Sequence, residues 1–337
     1  MNTFNTNKQN LILNTNIDLA NHKLVKKNEY SWLTSELEYK LTKHKKELDD
    51  YQSFKEQFLG YKNTPREFFN EFLRSEILTV DRINYLELLG KENFIAAKVP
   101  LAIGTTHFLT QLAIWFYTCF EGSQVIITCP PPSSNFKFAD IITLADRYKH
   151  LFSYSYPQAP DQVIGNSYDG VSSIKYISIP IEAGIAQRQN KFVGKSAKNL
   201  LFIVDQANGM PEDVLQALDT YKKSSNVKIL YFYNEGSVSE ETNEKFQKYI
   251  GNCASFDFSI FNFPNVCYGR NHLNANPVPG CIDQEQVKKN IIEYSRPATS
   301  DEVADFVIPY DTRTMFLGLS KKEYRRKIID SRIKRII

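Results

Sequence analysis

Short, almost continuous apolar runs alternate along this chain with longer segments whose apolar residues recur at helical spacing. Four runs predict buried strands: "NFIAAKVPLAIG", "SQVIITCPPPSS", "NLLFIVDQANGM" and "NVKILYFYNEGS". Helical segments follow the first three, namely "TTHFLTQLAIWFYTCFEG", "FKFADIITLADRYKHLF" and "PEDVLQALDTYKKS". Strands that are apolar throughout are typical of a parallel sheet, because helices cover both of its faces. The pattern therefore predicts an α/β fold with a mostly parallel sheet and helices on both faces.

The region before the first strand has a different pattern, in which helices alone are predicted. Residues 1–20 are polar and carry no periodicity, so we expect them to be disordered. Residues 24–59 have apolar points at helical spacing with charges between them. Thr64 and Pro65 have the residue types of a helix N-cap and first helical position, and Gly90 is placed to end a helix. Residues 21–90 are therefore predicted to form a helical N-terminal subdomain.

Composition narrows the functional classes without choosing one. The formal net charge of +3 over 337 residues is too small to indicate nucleic-acid binding by bulk charge. The five cysteines form no CxxC pair, as expected for reduced thiols in an intracellular protein. The N-terminus lacks the apolar core of a signal peptide, and the longest apolar segment, "FLTQLAIWFYTCF", is too short to span a bilayer. We expect a cytoplasmic protein that does not enter a membrane.

Two stretches at predicted strand ends carry candidate chemistry. In "AIGTTHF" a strand runs through Gly104 into a helix, which is the layout of a loop that holds phosphates with backbone amides and a helix N-terminus. In "LLFIVDQA" an apolar strand ends at Asp205, where a carboxylate can support a magnesium ion. Ligands of parallel sheets bind beyond the carboxyl ends of the strands, so these stretches are predicted to meet there.

The order of these stretches resembles the ATPase domain of bacteriophage terminase large subunits. The run "NKFVGKSAKNLLFIVDQANGMPEDVLQALD" is similar to their Walker B region, and "VPLAIGTTHFLTQLAIWFYTC" to their P-loop and following helix. Five more stretches stand in family order: "SQVIITCPPPSSNF" lies between these two, and "KILYFYNEGSVSEETNEKF", "FDFSIFNFPNV", "VPGCIDQEQVKKNIIEY" and "DTRTMFLGLS" follow them. The resemblance covers residues 64 to 320. It implies a P-loop NTPase fold of the RecA/ASCE type over residues 91–320, acting in viral DNA packaging.

The resemblance also implies a site for ATP and Mg²⁺. Carried over position by position, Gly104 is the loop glycine, Thr106 supplies a hydroxyl to the metal, and Asp205 supports the metal as the first Walker B residue. Thr105 stands where the family has its phosphate-binding lysine, and Gln206 where it has the catalytic glutamate. Asp205 and Gln206 are thus the expected catalytic pair, and Thr106 and Asp205 the expected metal ligands.

The departures from the family pattern all weaken hydrolysis. The amide of Gln206 can orient a water molecule but cannot accept its proton, and Thr105 brings no charge to the phosphates. Pro100 has no amide hydrogen to offer, and the side chains of Leu101 and Ile103 stand where glycine would let phosphate approach. We therefore expect ATP hydrolysis to be weak or lost.

Two further residues are candidates for nucleotide binding, each with a structural alternative. Lys98 lies six residues before Gly104, where some terminases draw a phosphate-binding cation, although a strand-end lysine usually reaches solvent. Asn234 ends its strand where the family has its coupling motif, and it could contact the γ-phosphate or only hydrogen-bond a turn. His107, Arg188 and the "VGKS" at 193–196 are predicted to have capping, surface and loop roles.

The end of the chain bears on its partners. The strand–aspartate elements of the family's nuclease domain are not found, so we expect no DNA cleavage. Residues 321–337 are predicted to form a basic helix, whose cations could bind double-stranded DNA or an acidic partner or simply face solvent. The partners that the resemblance implies are a portal, a small terminase subunit, a separately encoded nuclease or further copies of the chain. Two functions stay open: a slow packaging ATPase, or a pseudo-ATPase that serves as a binding or scaffold subunit.

Overall fold

A computed structural model describes residues 31–73, 79–131, 143, 146–153, 155–158, 163–166, 171–180, 182–267 and 280–287. The predictions for residues 1–20 and 321–337, and for most of "FKFADIITLADRYKHLF", lie outside these residues. The chain divides into two compact units, residues 1–54 and 55–337, which are described separately. Of the first unit, the structure describes residues 31–54, which form the beginning of helix α1 (Ser31–Leu59). This helix lies within the predicted helical segment 24–59.

The second unit contains the elements that position the site. Its helices after α1 are α2 (Pro65–Phe68), α3 (Val80–Leu89), α4 (Thr105–Cys119), α5 (Ile185–Asn190), α6 (Glu212–Asp219), α7 (Glu240–Ile250) and α8 (Pro264–Cys267). Its strands are β1 (Phe94–Lys98), β2 (Ser123–Thr128), β3 (Ser155–Gln158), β4 (Val163–Asn166), β5 (Ser173–Ile177), β6 (Asn199–Val204), β7 (Val227–Tyr233) and β8 (Ala254–Asp257). The four strands predicted from apolar runs are β1, β2, β6 and β7, so these predictions are confirmed.

The described strands form one sheet in the order β3-β4-β5-β2-β6-β7-β1-β8. From β5 to β8 every neighbouring pair is parallel, whereas β3 and β4 add an antiparallel edge. The strand before the "AIGTTHF" loop and the strand that ends at Asp205 lie in the same sheet, with only β7 between them. This mostly parallel α/β architecture confirms the predicted fold class, and the antiparallel edge was not predicted.

Helices cover both faces of the parallel strands. On one face, Phe202 and Tyr231 belong to a buried cluster with Val214 and Leu218 of α6 and Phe246 of α7. On the other face, helix α3 packs on β7, where the ring centre of Tyr85 lies 5.4 Å from that of Phe232. Burial on both faces explains why these strands are apolar at every position.

Helix α4 follows the "AIGTTHF" loop and is held at its far end by a buried cation. Of its residues, Phe108 to Cys119 are all buried. The ammonium group of Lys55 donates hydrogen bonds to the carbonyl oxygens of Tyr117, Thr118 and Phe120, at 2.8, 2.9 and 3.2 Å. Carbonyls at a helix C-terminus have no partner in the helix, and the macrodipole there favours a cation. Lys55 therefore caps α4 and fixes the helix that begins at the loop.

Gly90 ends α3 as predicted, but close packing explains the glycine better than its backbone angles do. It is the C-cap residue with φ −63° and ψ −23°, which any residue adopts. A Cβ atom at this position would lie 2.4 Å from the carbonyl oxygen of Asn63, so a side chain would force the two segments apart.

Among the described residues, no helix combines the length and the apolar character that a membrane span requires.

Candidate functional site

The carboxyl ends of the central strands meet at one cavity. In the register of the sheet Lys98 pairs with Tyr233 and Val204 with Tyr231, so the loops that follow β1, β6 and β7 leave the sheet at one edge. The cavity there has a volume of about 620 Å³. Its described lining residues are Val99, Pro100, Leu101, Ala102, Gly104, Thr105, Thr106, His107, Thr143, Arg147, Asp205, Gln206, Phe232, Tyr233, Asn234, Gly280 and Cys281. The predicted loop, the predicted carboxylate and the end of β7 thus share one cavity.

The loop between β1 and α4 turns sharply through two residues with left-handed backbone angles. Gly104 has φ +71° and ψ 35° and is the N-cap of α4. Ala102 has φ +60°, an angle that costs an L-residue roughly 1–2 kcal/mol. Backbone that alternates between right- and left-handed angles can turn successive N–H groups toward one point, which is how anion-binding nests form. Ala102 and Gly104 thus supply two left-handed residues of the kind that such nests use, although the loop carries one glycine.

The carbonyl groups of this loop are bound from outside the cavity. The Arg82 guanidinium of α3 donates to the carbonyl oxygens of Ile103 and Gly104, at 2.8 and 3.0 Å. The backbone N–H of Ile282 donates to the carbonyl oxygen of Ala102 at 2.9 Å. Among the described residues, no backbone carbonyl outside the helices accepts a hydrogen bond from the N–H groups of residues 102–106. The carbonyl groups of residues 102–104 are therefore bound by residues that do not belong to the described cavity lining.

Asp205 is a buried carboxylate at the end of β6. Its backbone N–H donates to the carbonyl oxygen of Thr128 at 2.9 Å, which continues the β2–β6 pairing by one residue. Its Oδ1 accepts a hydrogen bond from the backbone N–H of Gln206 at 3.0 Å. Among the described residues no other group donates to this carboxylate and no cation pairs with it. Burial therefore raises its pKa to about 6, against which the Gln206 N–H acts weakly.

This carboxylate and the Thr106 hydroxyl suit a hard cation held jointly with phosphates. Mg²⁺ prefers oxygen ligands and is usually bound by one or two carboxylates together with substrate phosphates. Asp205 and Thr106 line the same cavity, and the buried Asp205 carboxylate has only the Gln206 N–H as a hydrogen-bond donor among the described residues. Among the described residues, no three or more acidic, histidine or cysteine side chains lie together so that they could hold a metal ion by themselves.

Gln206 adopts a left-handed conformation, with φ 50° and ψ 43°. Its carbonyl oxygen accepts a hydrogen bond from Gly209 at 2.9 Å, which closes a tight turn directly after Asp205. Non-glycine residues in this region are uncommon and concentrate at functional sites. The turn places Gln206 in the cavity lining, where the resemblance assigns the catalytic glutamate.

Lys98 lies at the strand end but not at the cavity surface. Its side chain is buried, and its ammonium nitrogen is 3.6 Å from a carboxylate oxygen of Glu235. Neither Lys98 nor Glu235 is among the described residues that line the cavity. Lys98 is therefore placed to neutralise Glu235, and its binding of phosphate stays a prediction.

Asn234 lines the cavity and also joins β7 to the beginning of the loop. Its side-chain amide donates to the carbonyl oxygen of Val99 at 2.9 Å and accepts from the backbone N–H of Gly236 at 2.9 Å. The side chain of Asn208, in the turn after Asp205, donates to the Asn234 carbonyl oxygen at 2.7 Å and to Asn243 Oδ1 of α7 at 2.8 Å. A buried amide network therefore links the loops after β1, β6 and β7 with α7.

Three further sequence candidates, Arg188, the "VGKS" at 193–196 and His107, lie in different surroundings. The Arg188 guanidinium makes a two-pronged contact with the Asp213 carboxylate, at 3.0 and 2.9 Å, and also binds the Ala183 carbonyl. The "VGKS" at 193–196 forms a turn with Gly194 at φ +75° before β6, and it lies outside the residues that line the cavity. His107 lies in the first turn of α4 and lines the cavity.

Four contributors to the site were not identified from the sequence. They are Arg147 and Thr143 in the cavity lining, Arg82 behind the loop, and Asn208 in the amide network. Arg82 and Asn208 are nearly fully buried, and buried arginine and asparagine side chains require partners. Burial cannot be read from sequence at these positions, because neither belongs to a periodic pattern that marks it as internal.

No protein-family model and no curated protein sequence matches this chain. Among solved structures, it is similar to the large terminase ATPase domain of Thermus phage P74-26, with 14% identity and a TM-score of 0.37 over 51% of this chain and 77% of that one. It is also similar to the HK97 bacteriophage large terminase, with 8% identity and a TM-score of 0.42 over 68% of this chain and 47% of that one. A third match is the large terminase of a thermophilic bacteriophage in complex with ADP, with 11% identity and a TM-score of 0.36 over 70% and 50%.

These matches are distant, with TM-scores of 0.36 to 0.42. The chain spans about half of the length of the two longer terminases.

Proposed function

We propose that this protein binds ATP together with Mg²⁺ in the cavity at the carboxyl edge of its sheet. The observation that carries the proposal is the buried carboxylate of Asp205, which shares the cavity with Thr106 and with a loop whose carbonyls are bound elsewhere. A buried carboxylate without a cation is unfavourable, and a bound metal removes that cost. Thr106 and Asp205 would hold the Mg²⁺, which would supply positive charge to the phosphates.

The same residues support slow hydrolysis or none. Gln206 directly follows Asp205 and also lines the cavity. Its neutral amide can orient a water molecule but cannot accept the proton of that water. General-base assistance is worth roughly 10²- to 10⁴-fold in rate, and Thr105 adds no charge to stabilise the transferred phosphoryl group. Nucleotide binding with weak turnover is therefore the activity that the site supports best.

For the biological setting we propose a terminase-like role in viral DNA packaging, in the cytoplasm of an infected host. The order of the seven resembling stretches supports it. Its partners would be double-stranded DNA, a portal, a small terminase subunit, a separately encoded nuclease or further copies of the chain. The neutral Gln206 and Thr105 favour the alternative of a pseudo-ATPase, which would bind nucleotide to hold a conformation for such a partner.

Equilibrium binding of ATP, followed by calorimetry with and without Mg²⁺, tests the proposal. We expect binding that weakens when Mg²⁺ is withheld, and loss of that Mg²⁺ dependence in Asp205→Ala. Asp257→Ala is the matched control, because Asp257 ends the nearby strand β8 but is exposed and outside the cavity lining. Absence of ATP binding at millimolar concentration would refute the proposal. Turnover lost in Asp205→Ala would decide for an ATPase over a pseudo-ATPase.

A further inference from the structure

The cavity has few positive charges for a ligand that carries several negative ones. Among the lining side chains that the structure describes, Arg147 is the only one with a permanent positive charge. Thr105 occupies the lysine position of the loop, and the ammonium group of Lys98 lies 3.6 Å from a Glu235 carboxylate oxygen outside the lining. A polyphosphate in this cavity would therefore find its cationic side chain in a different segment of the chain.

The segment that carries Arg147 is anchored to the body of the unit by its neighbours. The Tyr148 hydroxyl donates to the carbonyl oxygen of Leu73 at 2.7 Å, and this tyrosine is buried. Leu151 is buried as well, and its backbone N–H donates to the Tyr148 carbonyl oxygen at 2.8 Å. The backbone next to Arg147 is thus held in place, while Arg147 itself is exposed and lines the cavity.

We propose that Arg147 is the phosphate-binding cation of this site and takes over the charge that Thr105 does not supply. The inference rests on the proposed function, since it names the residue that recognises the phosphates of the nucleotide. A guanidinium suits this task because its planar array of N–H donors matches two phosphate oxygens at once. Thr143, four residues earlier, also lines the cavity, and its hydroxyl is a second polar group for the phosphates.

Binding of a series of ligands in the presence of Mg²⁺ tests this assignment. The series is ATP, ADP, AMP and inorganic tripolyphosphate, each measured with the wild type, Arg147→Ala and Arg147→Lys. We expect Arg147→Ala to weaken ATP and tripolyphosphate about 10- to 100-fold, the loss of one charge-assisted contact, and to leave AMP nearly unchanged. Arg147→Lys should recover part of the affinity, because it restores the positive charge but not the planar array of N–H donors.

Lys149→Ala is the matched control. Lys149 lies two residues away, its side chain is 80% exposed, and it is not one of the described lining residues. Removing this side chain changes the net charge of the segment as much as Arg147→Ala does. Because it takes no described side chain from the cavity lining, it should leave every affinity within about twofold.

The outcomes separate the two proposals. Wild-type protein that binds tripolyphosphate through Arg147 but not ATP would support the assignment of the cation and refute nucleotide as the ligand. Wild-type protein that binds ATP with unchanged affinity in Arg147→Ala would overturn the assignment and leave the proposed function intact. Equal losses for ATP and AMP in Arg147→Ala would also overturn it, because the residue would then act on the nucleoside.

Discussion

Arg82 Nη2 lies 2.8 Å from the carbonyl oxygen of Ile103, so a buried charge of helix α3 holds the loop that lines the candidate site. The same nitrogen lies 3.0 Å from the Gly104 carbonyl oxygen, and the guanidinium carbon is 4.9 Å from the centre of the Phe108 ring. Burial lowers the Arg82 pKa to about 10, which leaves the side chain charged at neutral pH. A structural cation behind the loop is thus distinct from any cation that binds phosphate inside the cavity.

Replacing Arg82 with methionine should destabilise the protein by about 2–4 kcal/mol. The substitution keeps the apolar stem but removes the donor from two carbonyl groups, and buried acceptors without partners are costly. Urea unfolding of both proteins measures the difference. Arg66→Met is the control, because Arg66 forms an ion pair with Glu87 whose side chains are 44% and 48% exposed. It should cost less than about 1 kcal/mol, and equal losses for both variants would contradict a special role for Arg82.

Asp205→Asn should change how stability depends on pH. The pKa of Asp205 is about 6 in the fold and 3.8 in the unfolded reference, so the folded state binds the proton more tightly. Its contribution to stability is complete below pH 3.8 and is lost as the pH rises through about 6, by on the order of 3 kcal/mol. Asparagine has no such loss, so in EDTA the variant should gain stability relative to the wild type between pH 5 and pH 7. Urea unfolding at both pH values shows this, and identical pH profiles would contradict it.

The double substitution Thr105→Lys with Gln206→Glu should raise ATP turnover. It supplies the charge and the proton acceptor that the family pattern has at these positions, and base assistance alone is worth roughly 10²- to 10⁴-fold. Steady-state phosphate release measures the gain over the wild type. Adding Asp205→Ala to the double variant should abolish the turnover again. If the double variant is no faster than the wild type, the position-by-position transfer of the family site is wrong.

Asn208→Ala should cost about 1–3 kcal/mol, because the side-chain amide bridges the Asn234 carbonyl and Asn243 Oδ1 in a buried setting. Denaturant unfolding measures the loss. Asn226→Ala provides the comparison: its amide also donates to two groups, the carbonyls of Ala197 and Lys198, but at an exposed position. The smaller loss should be that of Asn226, where water replaces the missing donor, and the reverse order would contradict the role of the network.

Which strands could be predicted depended on their position in the sheet. Strands β1, β2, β6 and β7 are buried on both faces, so their sequences are apolar without alternation. Strands β3 and β4 are four residues each, "SYPQ" and "VIGN", and they form the antiparallel edge. Strand β8, "ASFD", is exposed at every second position at the other edge. Edge strands carry polar residues and are short, so their sequences differ little from those of loops.

The residues of the candidate site also differ in whether they could be predicted from the sequence. Thr106 and Asp205 could be proposed from sequence because each lies where an apolar strand or its loop ends, and the cavity contains both. Lys98 was a reasonable candidate by spacing, yet its ammonium group lies 3.6 Å from Glu235, a residue 137 positions away that no local pattern connects to it. Arg147 gave no signal, because a charged residue on a predicted helix usually faces solvent.

The sequence by itself determined the alternation of strand and helix, the mostly parallel sheet, and the loop and strand end at which a ligand would be held. It could do so because burial on both faces and helical periodicity are local properties, written in consecutive side chains. Only the tertiary structure decided which charges enter the cavity and which stabilise its walls. Arg82, Lys98 and Arg147 are all cations in the sequence, and what separates them is the distant carbonyl, carboxylate or cavity that folding brings to each one.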